Sequence, residues 1–192
     1  MKKREFIKKS ALLGTTIAIL PSCVSKVAEN TEETKETVKK LRTAHIGVGI
    51  QGSEDLGAIS SHASAEVVAI CDVDANNLAA AQKLHPKAKV YADYRIMFKE
   101  MKDEIDAVVV STPDHTHAPA SMMAMENDKH VYCQKPLTHH VSEARAMRKI
   151  AEDKKLVSQM GIQVHSFYDY KLATLLIQSG IIGKVSTVRA WS

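Results

Sequence analysis

Apolar positions in this chain switch repeatedly between the period of a strand and that of a helix. Arg42-Thr43-Ala44-His45-Ile46 reads as a short strand, and Ser53 to His62, after a glycine-rich turn, reads as a helix. Val67-Val68-Ala69-Ile70 is a second apolar run, which ends at Asp72. Asp74 then stands as the N-cap of a helix running to Leu84. Ala107 to Ser111 is continuously apolar up to its last residue, the signature of a strand buried on both faces. A helix from about Ala118 to Asn127 and a strand His130-Val131-Tyr132-Cys133 follow, the strand ending in Gln134-Lys135-Pro136. Ser142 to Asp153 is amphipathic, with Ala144, Met147 and Ile150 inward and Arg145 and Arg148 toward solvent. Phe167-Tyr168-Asp169-Tyr170 opens a helix through Leu176 to Ser179, and a last strand begins near Lys184. Strands alternating with helices predict an α/β fold built on a doubly wound parallel sheet.

The turn after the first strand is Gly47-Val48-Gly49-Ile50-Gln51-Gly52. Strand, glycine turn, helix, strand and terminal acid, in that order, make a dinucleotide-binding (Rossmann) unit. Gly47 permits the tight turn, Gly49 lets the backbone approach a pyrophosphate, and Gly52 lets helix and strand pack closely. Ile50 and Gln51 stand at the helix start, where free N–H groups and the positive dipole end meet phosphate. Asp72 lies 20 residues beyond the last glycine, where an acid hydrogen-bonds the adenosine ribose. A glycine turn alone could occur without a ligand; the surrounding order of elements argues for a cofactor. NAD is expected over NADP, because Val73-Asp74-Ala75-Asn76-Asn77 offers no cation to a 2′-phosphate and Asp72 and Asp74 would repel it.

The first nine residues hold five Lys/Arg and one Glu, a net of +4 that equals the formal charge of the whole chain. Everything after them sums to zero, so the folded part has no electrostatic case for nucleic acid. Lys3-Arg4-Glu5-Phe6-Ile7-Lys8 resembles a twin-arginine export signal with Lys for the first Arg. The apolar stretch Ala11 to Leu20 is too short to span a bilayer, and Leu20-Pro21-Ser22-Cys23 resembles a lipobox. Residues 1–23 are therefore expected to be an export signal, with Cys23 lipidated and the mature protein held to a membrane in the periplasm. An ordinary secretory signal that contains a cysteine is the alternative. Residues 24–42 read as a charged tether. Cys71 and Cys133 fall at strand ends and are expected to be buried thiols rather than a disulfide.

The loops after the later strands carry the remaining chemistry. Thr112-Pro113-Asp114-His115-Thr116-His117 and Gln134-Lys135-Pro136 both leave carboxyl ends of strands, where ligands bind in doubly wound sheets. His115, His117, His139 and His140 invite a metal reading, but their spacings match no closed site and no metal is expected. Together with the glycine turn and Gln159-Met160-Gly161-Ile162-Gln163, these segments resemble the Gfo/Idh/MocA oxidoreductases, whose pattern includes a Thr-Pro segment ending in His and a Glu-Lys-Pro turn. The resemblance covers about residues 43–192. It implies a dinucleotide-binding domain over 43–163 and only the start of an α+β substrate domain over 164–192.

By that resemblance Lys135 is the catalytic or substrate-orienting lysine, bonding the hydroxyl that is oxidised beside a positively charged nicotinamide. Ser111, Thr112, Pro113 and His117 line the nicotinamide ribose side, and Gln134 and Gln163 complete the cofactor contacts. Gln134 departs from the family's acid: its amide can bond a ribose hydroxyl but brings no charge to the lysine. Tyr168 and Tyr170 could face substrate, although packing is the plainer role. The expected function is NAD-dependent hydride transfer from a sugar, polyol or related carbinol, the complete protein forming a homo-oligomer. An NAD-dependent glycosidase of the same superfamily and a non-catalytic NAD-binding lipoprotein are the alternatives.

Overall fold

A computed structural model describes residues 39–189. The leader with Cys23, nearly all of the expected tether and residues 190–192 lie outside the described residues. Val108, Val109 and Val110 are at most 4% exposed, as a strand covered on both faces requires. They belong to β4 (Ala107–Val110), which with β1 (Leu41–Ile46) forms the middle of a six-stranded sheet. The others are β2 (Ala65–Cys71), β3 (Lys89–Tyr91), β5 (His130–Gln134) and β6 (Ser158–Gly161). Every pairing is parallel, and the spatial order is β3-β2-β1-β4-β5-β6. This is the doubly wound order, and its direction reverses between β1 and β4.

Helices cover both faces because both faces are apolar. Leu56 of α1 (Ile50–Ser60) and Ala81 of α2 (Ala75–Leu84) pack with Val48, Ile70 and Ala88 in one cluster. A larger cluster gathers Met97, Phe98 and Met101 of α3 (Tyr94–Met101), Ala120, Ala124 and Met125 of α4 (His117–Glu126), and Met147 of α5 (Val141–Lys154). These meet Ala44, Ile46, Val108, Val110, Val131 and Cys133 of the strands. Asp74 caps α2 as expected, its carboxylate accepting the Asn76 N–H at 2.8 Å; Asp93 caps α3 through Arg95 in the same way. Cys71 and Cys133 are free, buried thiols, pushed up to about 12 and about 11 by burial. Arg145 and Arg148 are exposed and Met147 is buried, as the α5 pattern predicts.

Several boundaries differ from the sequence expectation. Strand β1 starts at Leu41, inside the expected tether, because Arg42 is anchored: its Nε and Nη2 fork onto the Asp106 carboxylate at 3.0 and 2.7 Å. Helix α1 begins at Ile50 rather than Ser53, so the last glycine of the motif is helical. Residues 184–189 form no strand and are exposed; no neighbouring strand pairs with them among the described residues. After the 3₁₀ turn Gln163–Ser166, α6 (Tyr168–Gln178) has no buried residue. Tyr168 is 75% exposed, and Tyr170 stacks on His165 rather than entering a core.

Candidate active site

The crevice opens where the sheet order reverses. Gly47 has φ +83°, a conformation that side chains other than glycine rarely adopt, and a Cβ there would stand 2.6 Å from the Ser111 carbonyl oxygen. Its N–H donates to the Cys71 carbonyl at 2.8 Å, while Ser111 N–H donates to the Ile46 carbonyl at 2.8 Å. The turn is thereby pinned between the ends of β2 and β4. Gly52 lies directly against the Gly47 carbonyl, with no room for a Cβ. A Cβ on Gly49 would meet only the Asn77 side chain, and otherwise project into open space. No side chain caps α1, whose first residue Ile50 is 93% exposed. The amides of the first turn are therefore available to an anion.

A cavity of about 630 Å³ extends from this turn. Gly47, Gly49, Ile50, Gln51, Asp72, Ser111, Thr112 and Pro113 all line it, as do Asp74, Asn77, Tyr94 and His115. Asp72 Oδ2 accepts the Val48 N–H at 2.8 Å, and its Oδ1 accepts the Asp74 N–H at 2.9 Å, which fixes the carboxylate on the wall. No Lys or Arg lines the cavity among the described residues. Thr112 Oγ1 is buried without a hydrogen-bond partner among the described residues, an orphan hydroxyl at the crevice rim. The open first turn of α1, the fixed acid and this hydroxyl fit a dinucleotide in the size range of small-molecule sites. A second cavity, of about 590 Å³, lies between α5 and the β5–β6 edge and is walled mainly by Met125, Val131, Cys133, Leu137, Met147 and Met160. Arg148, Glu152, Ser158 and Gln159 also line it, and it shares no residue with the first.

The residues after β4 and β5 are placed differently from one another. His117 is buried and does not line the cavity: Nε2 is 2.7 Å from the Thr112 carbonyl oxygen and Nδ1 is 2.6 Å from that of Pro136. It is a strut that ties the Thr112 loop to the Lys135-Pro136 turn. Lys135 stands exposed on that turn, before a cis peptide to Pro136. Gln134 is buried, and Gln163 is half-buried at the start of the 3₁₀ turn. His139 and His140 meet edge to face at 4.6 Å, and His140 caps α5 in a capping box with Glu143.

Sequence reasoning missed three residues at this site. Tyr94 and Asn77 line the crevice, and Asp55, 7% exposed, lies beneath it. Asp55 accepts from Ser111 Oγ at 2.6 Å and from Gln134 Nε2 at 2.9 Å. The Tyr132 phenol beside it is pushed up by burial and then by the Asp55 charge. The available signal was Gln51 and Asp55 at helical i, i+4 spacing, which puts both on one face of α1.

Fold and crevice together define an NAD-binding Rossmann domain. The chain belongs to the Gfo/Idh/MocA family: the family model described as an oxidoreductase family with an NAD-binding Rossmann fold matches residues 41–162. The inositol 2-dehydrogenase of Salmonella typhimurium is 32% identical over 149 residues, covering 75% of this chain and 43% of that protein. The α-N-acetylgalactosaminidase of Shewanella oneidensis is 26% identical over 201 residues, covering 95% of this chain and 44% of the other. The crystal structure of myo-inositol 2-dehydrogenase from Lactobacillus plantarum superposes with a TM-score of 0.68 at 28% identity, over 77% of this chain and 43% of that one. The chain thus spans under half the length of these relatives.

Proposed function

We propose that this chain is the cofactor-binding part of an NAD-dependent oxidoreductase that acts on a sugar, polyol or related carbinol. The crevice carries the reading: an uncapped helix start, a fixed Asp72 and no cation, beside a lysine at the end of the next-but-one strand. The inositol dehydrogenase relative supports the substrate class. The first-turn amides of α1 would hold the pyrophosphate, Asp72 the adenosine ribose, and Thr112 with Gln163 the nicotinamide half, whereas the Gln134 amide is buried against Asp55 and the Lys135 N–H. When bound, NAD supplies the hydride acceptor. Lys135 Nζ hydrogen-bonds the carbinol hydroxyl, orients its C–H bond and passes on the proton that leaves as the carbonyl forms. His117 keeps the turn bearing Lys135 in register with the Thr112 loop.

In the complete protein, Lys135→Ala is expected to reduce turnover by about two to four orders of magnitude. NAD affinity should change little, since the pyrophosphate is held at the glycine turn. Stopped-flow NADH formation with myo-inositol, with calorimetric NAD titration alongside, checks both halves; a near-normal rate in the variant would refute the role.

The galactosaminidase relative favours a second reading, a glycosidase in which NAD is reduced and re-oxidised within one turnover. Release of free N-acetylgalactosamine from an aryl glycoside without net NADH would support that outcome instead. We also propose that Cys23 bears a lipid after export, from the lipobox-like Leu20-Pro21-Ser22-Cys23. Cys23→Ser should then move the protein from the membrane fraction to the soluble periplasm. Unchanged membrane association would defeat the lipid anchor.

A further inference from the structure

Asp55 is an unusual charge: it sits in the middle of α1, is 7% exposed, and forms no salt bridge among the described residues. Buried carboxylates ordinarily need compensation. Here it comes from neutral donors alone. Ser111 Oγ donates at 2.6 Å, Gln51 Nε2 at 3.2 Å, and Gln134 Nε2 reaches both oxygens at 2.9 and 3.1 Å.

A carboxylate has no proton to give, so it dictates which end of the Gln134 amide faces it. Nε2 turns toward Asp55, and Oε1 is left to accept the Lys135 backbone N–H at 3.2 Å. A chain of hydrogen bonds thus runs from the helix of the glycine turn to the turn that carries the lysine.

We propose that Asp55 is a positioning residue for Lys135, acting through the Gln134 amide. Asp55 brings the negative charge from α1, and the amide at 134 is the complement it requires. A second carboxylate there would stand about 3 Å from the first, and one of the two would have to take up a proton or move. The importance of this positioning rests on the proposed role of Lys135, but the coupling can be measured without turnover.

Asp55→Asn, Gln134→Glu and the exchange Asp55→Asn/Gln134→Glu are compared with the unmodified chain in the presence of NAD. The readouts are thermal denaturation and the ¹⁵N–¹H resonance of the Lys135 backbone amide. Asp55→Asn, nearly isosteric, removes the charge that fixes the amide and should shift the Lys135 resonance beyond its linewidth. Gln134→Glu should lower Tm by about 4–8 °C, and the exchange should recover at least about half of that loss. An unmoved Lys135 resonance in Asp55→Asn, or an exchange no more stable than Gln134→Glu, would overturn the proposal. Turnover in Lys135→Ala reports separately on the function: a lysine found dispensable leaves the coupling standing and removes its catalytic meaning.

Discussion

Asp72 serves the crevice with both oxygens of one carboxylate. Its hydrogen bonds from the Val48 and Asp74 N–H groups hold it still, so the ribose hydroxyl proposed to bind there would meet an acceptor already in place. A hydrogen bond to a charged group contributes about 1.5–3 kcal/mol, so Asp72→Ala is expected to weaken NAD binding by about 10- to 100-fold. NADP should lose less, because the same change removes repulsion of its 2′-phosphate, and the preference between the two should narrow. Calorimetric titration of both cofactors checks this; equal affinity in the unmodified chain would remove its basis. Asp72 was legible because the motif spacing singles it out. Asp55 was not, because an acid in an amphipathic helix ordinarily faces solvent, and its burial depends on Ser111 and Gln134, 56 and 79 residues away.

At the scale of elements, the glycine turn separates folding from binding. Gly47→Ala forces a side chain into the Ser111 carbonyl at positive φ and is expected to destabilise by about 2 kcal/mol or more. Gly49→Val meets only the movable Asn77 side chain, so the fold should survive while the pyrophosphate loses its approach. Thermal denaturation paired with NAD titration distinguishes them: loss of Tm in the first, loss of binding at nearly constant Tm in the second. Continuous apolar runs such as Ala107–Val110, and the cap at Asp74, made most elements readable, whereas the His140 cap of α5 was not read from the sequence. The elements passed over were short or polar for their class. Strand β3 has three residues, two of them exposed, and β6 reads Ser-Gln-Met-Gly. Each is a strand because its neighbour offers hydrogen bonds, and that is tertiary information. The converse holds at 184–189, where a strand-like pattern finds no neighbouring strand among the described residues.

For the whole molecule, the buried His45 sets a sensitivity to acid. Thr43 Oγ1 donates to the Glu66 carbonyl and accepts from His45 Nε2, leaving Nδ1 without a partner among the described residues. Burial, with a smaller push from His85, lowers the ring from 6.5 to about 3. Above pH 6.5 the ring is neutral in both folded and unfolded chains, so its contribution is constant. As pH falls from 6.5 toward 3 only the unfolded chain takes up the proton, and stability is lost. By pH 5 the loss should be on the order of 2 kcal/mol, and His45→Leu should flatten the fall of Tm between pH 6.5 and 4. An unchanged slope in that variant would assign the acid sensitivity to other groups, such as Asp106, which the Arg42 hydrogen bonds hold at about 2.

The cavity wall has a further property. All of its residues fall between Ile46 and Thr116, and the strands in that span are neighbours in the order β3-β2-β1-β4. Gln134 and Lys135 come later in the chain. A ribosome builds from the amino end, so every residue that lines the cavity exists before Lys135 has been translated. The cavity wall and the turn that bears Lys135 are divided in time of synthesis as well as in space, and a nascent chain halted after Thr116 holds every residue of that wall without Lys135.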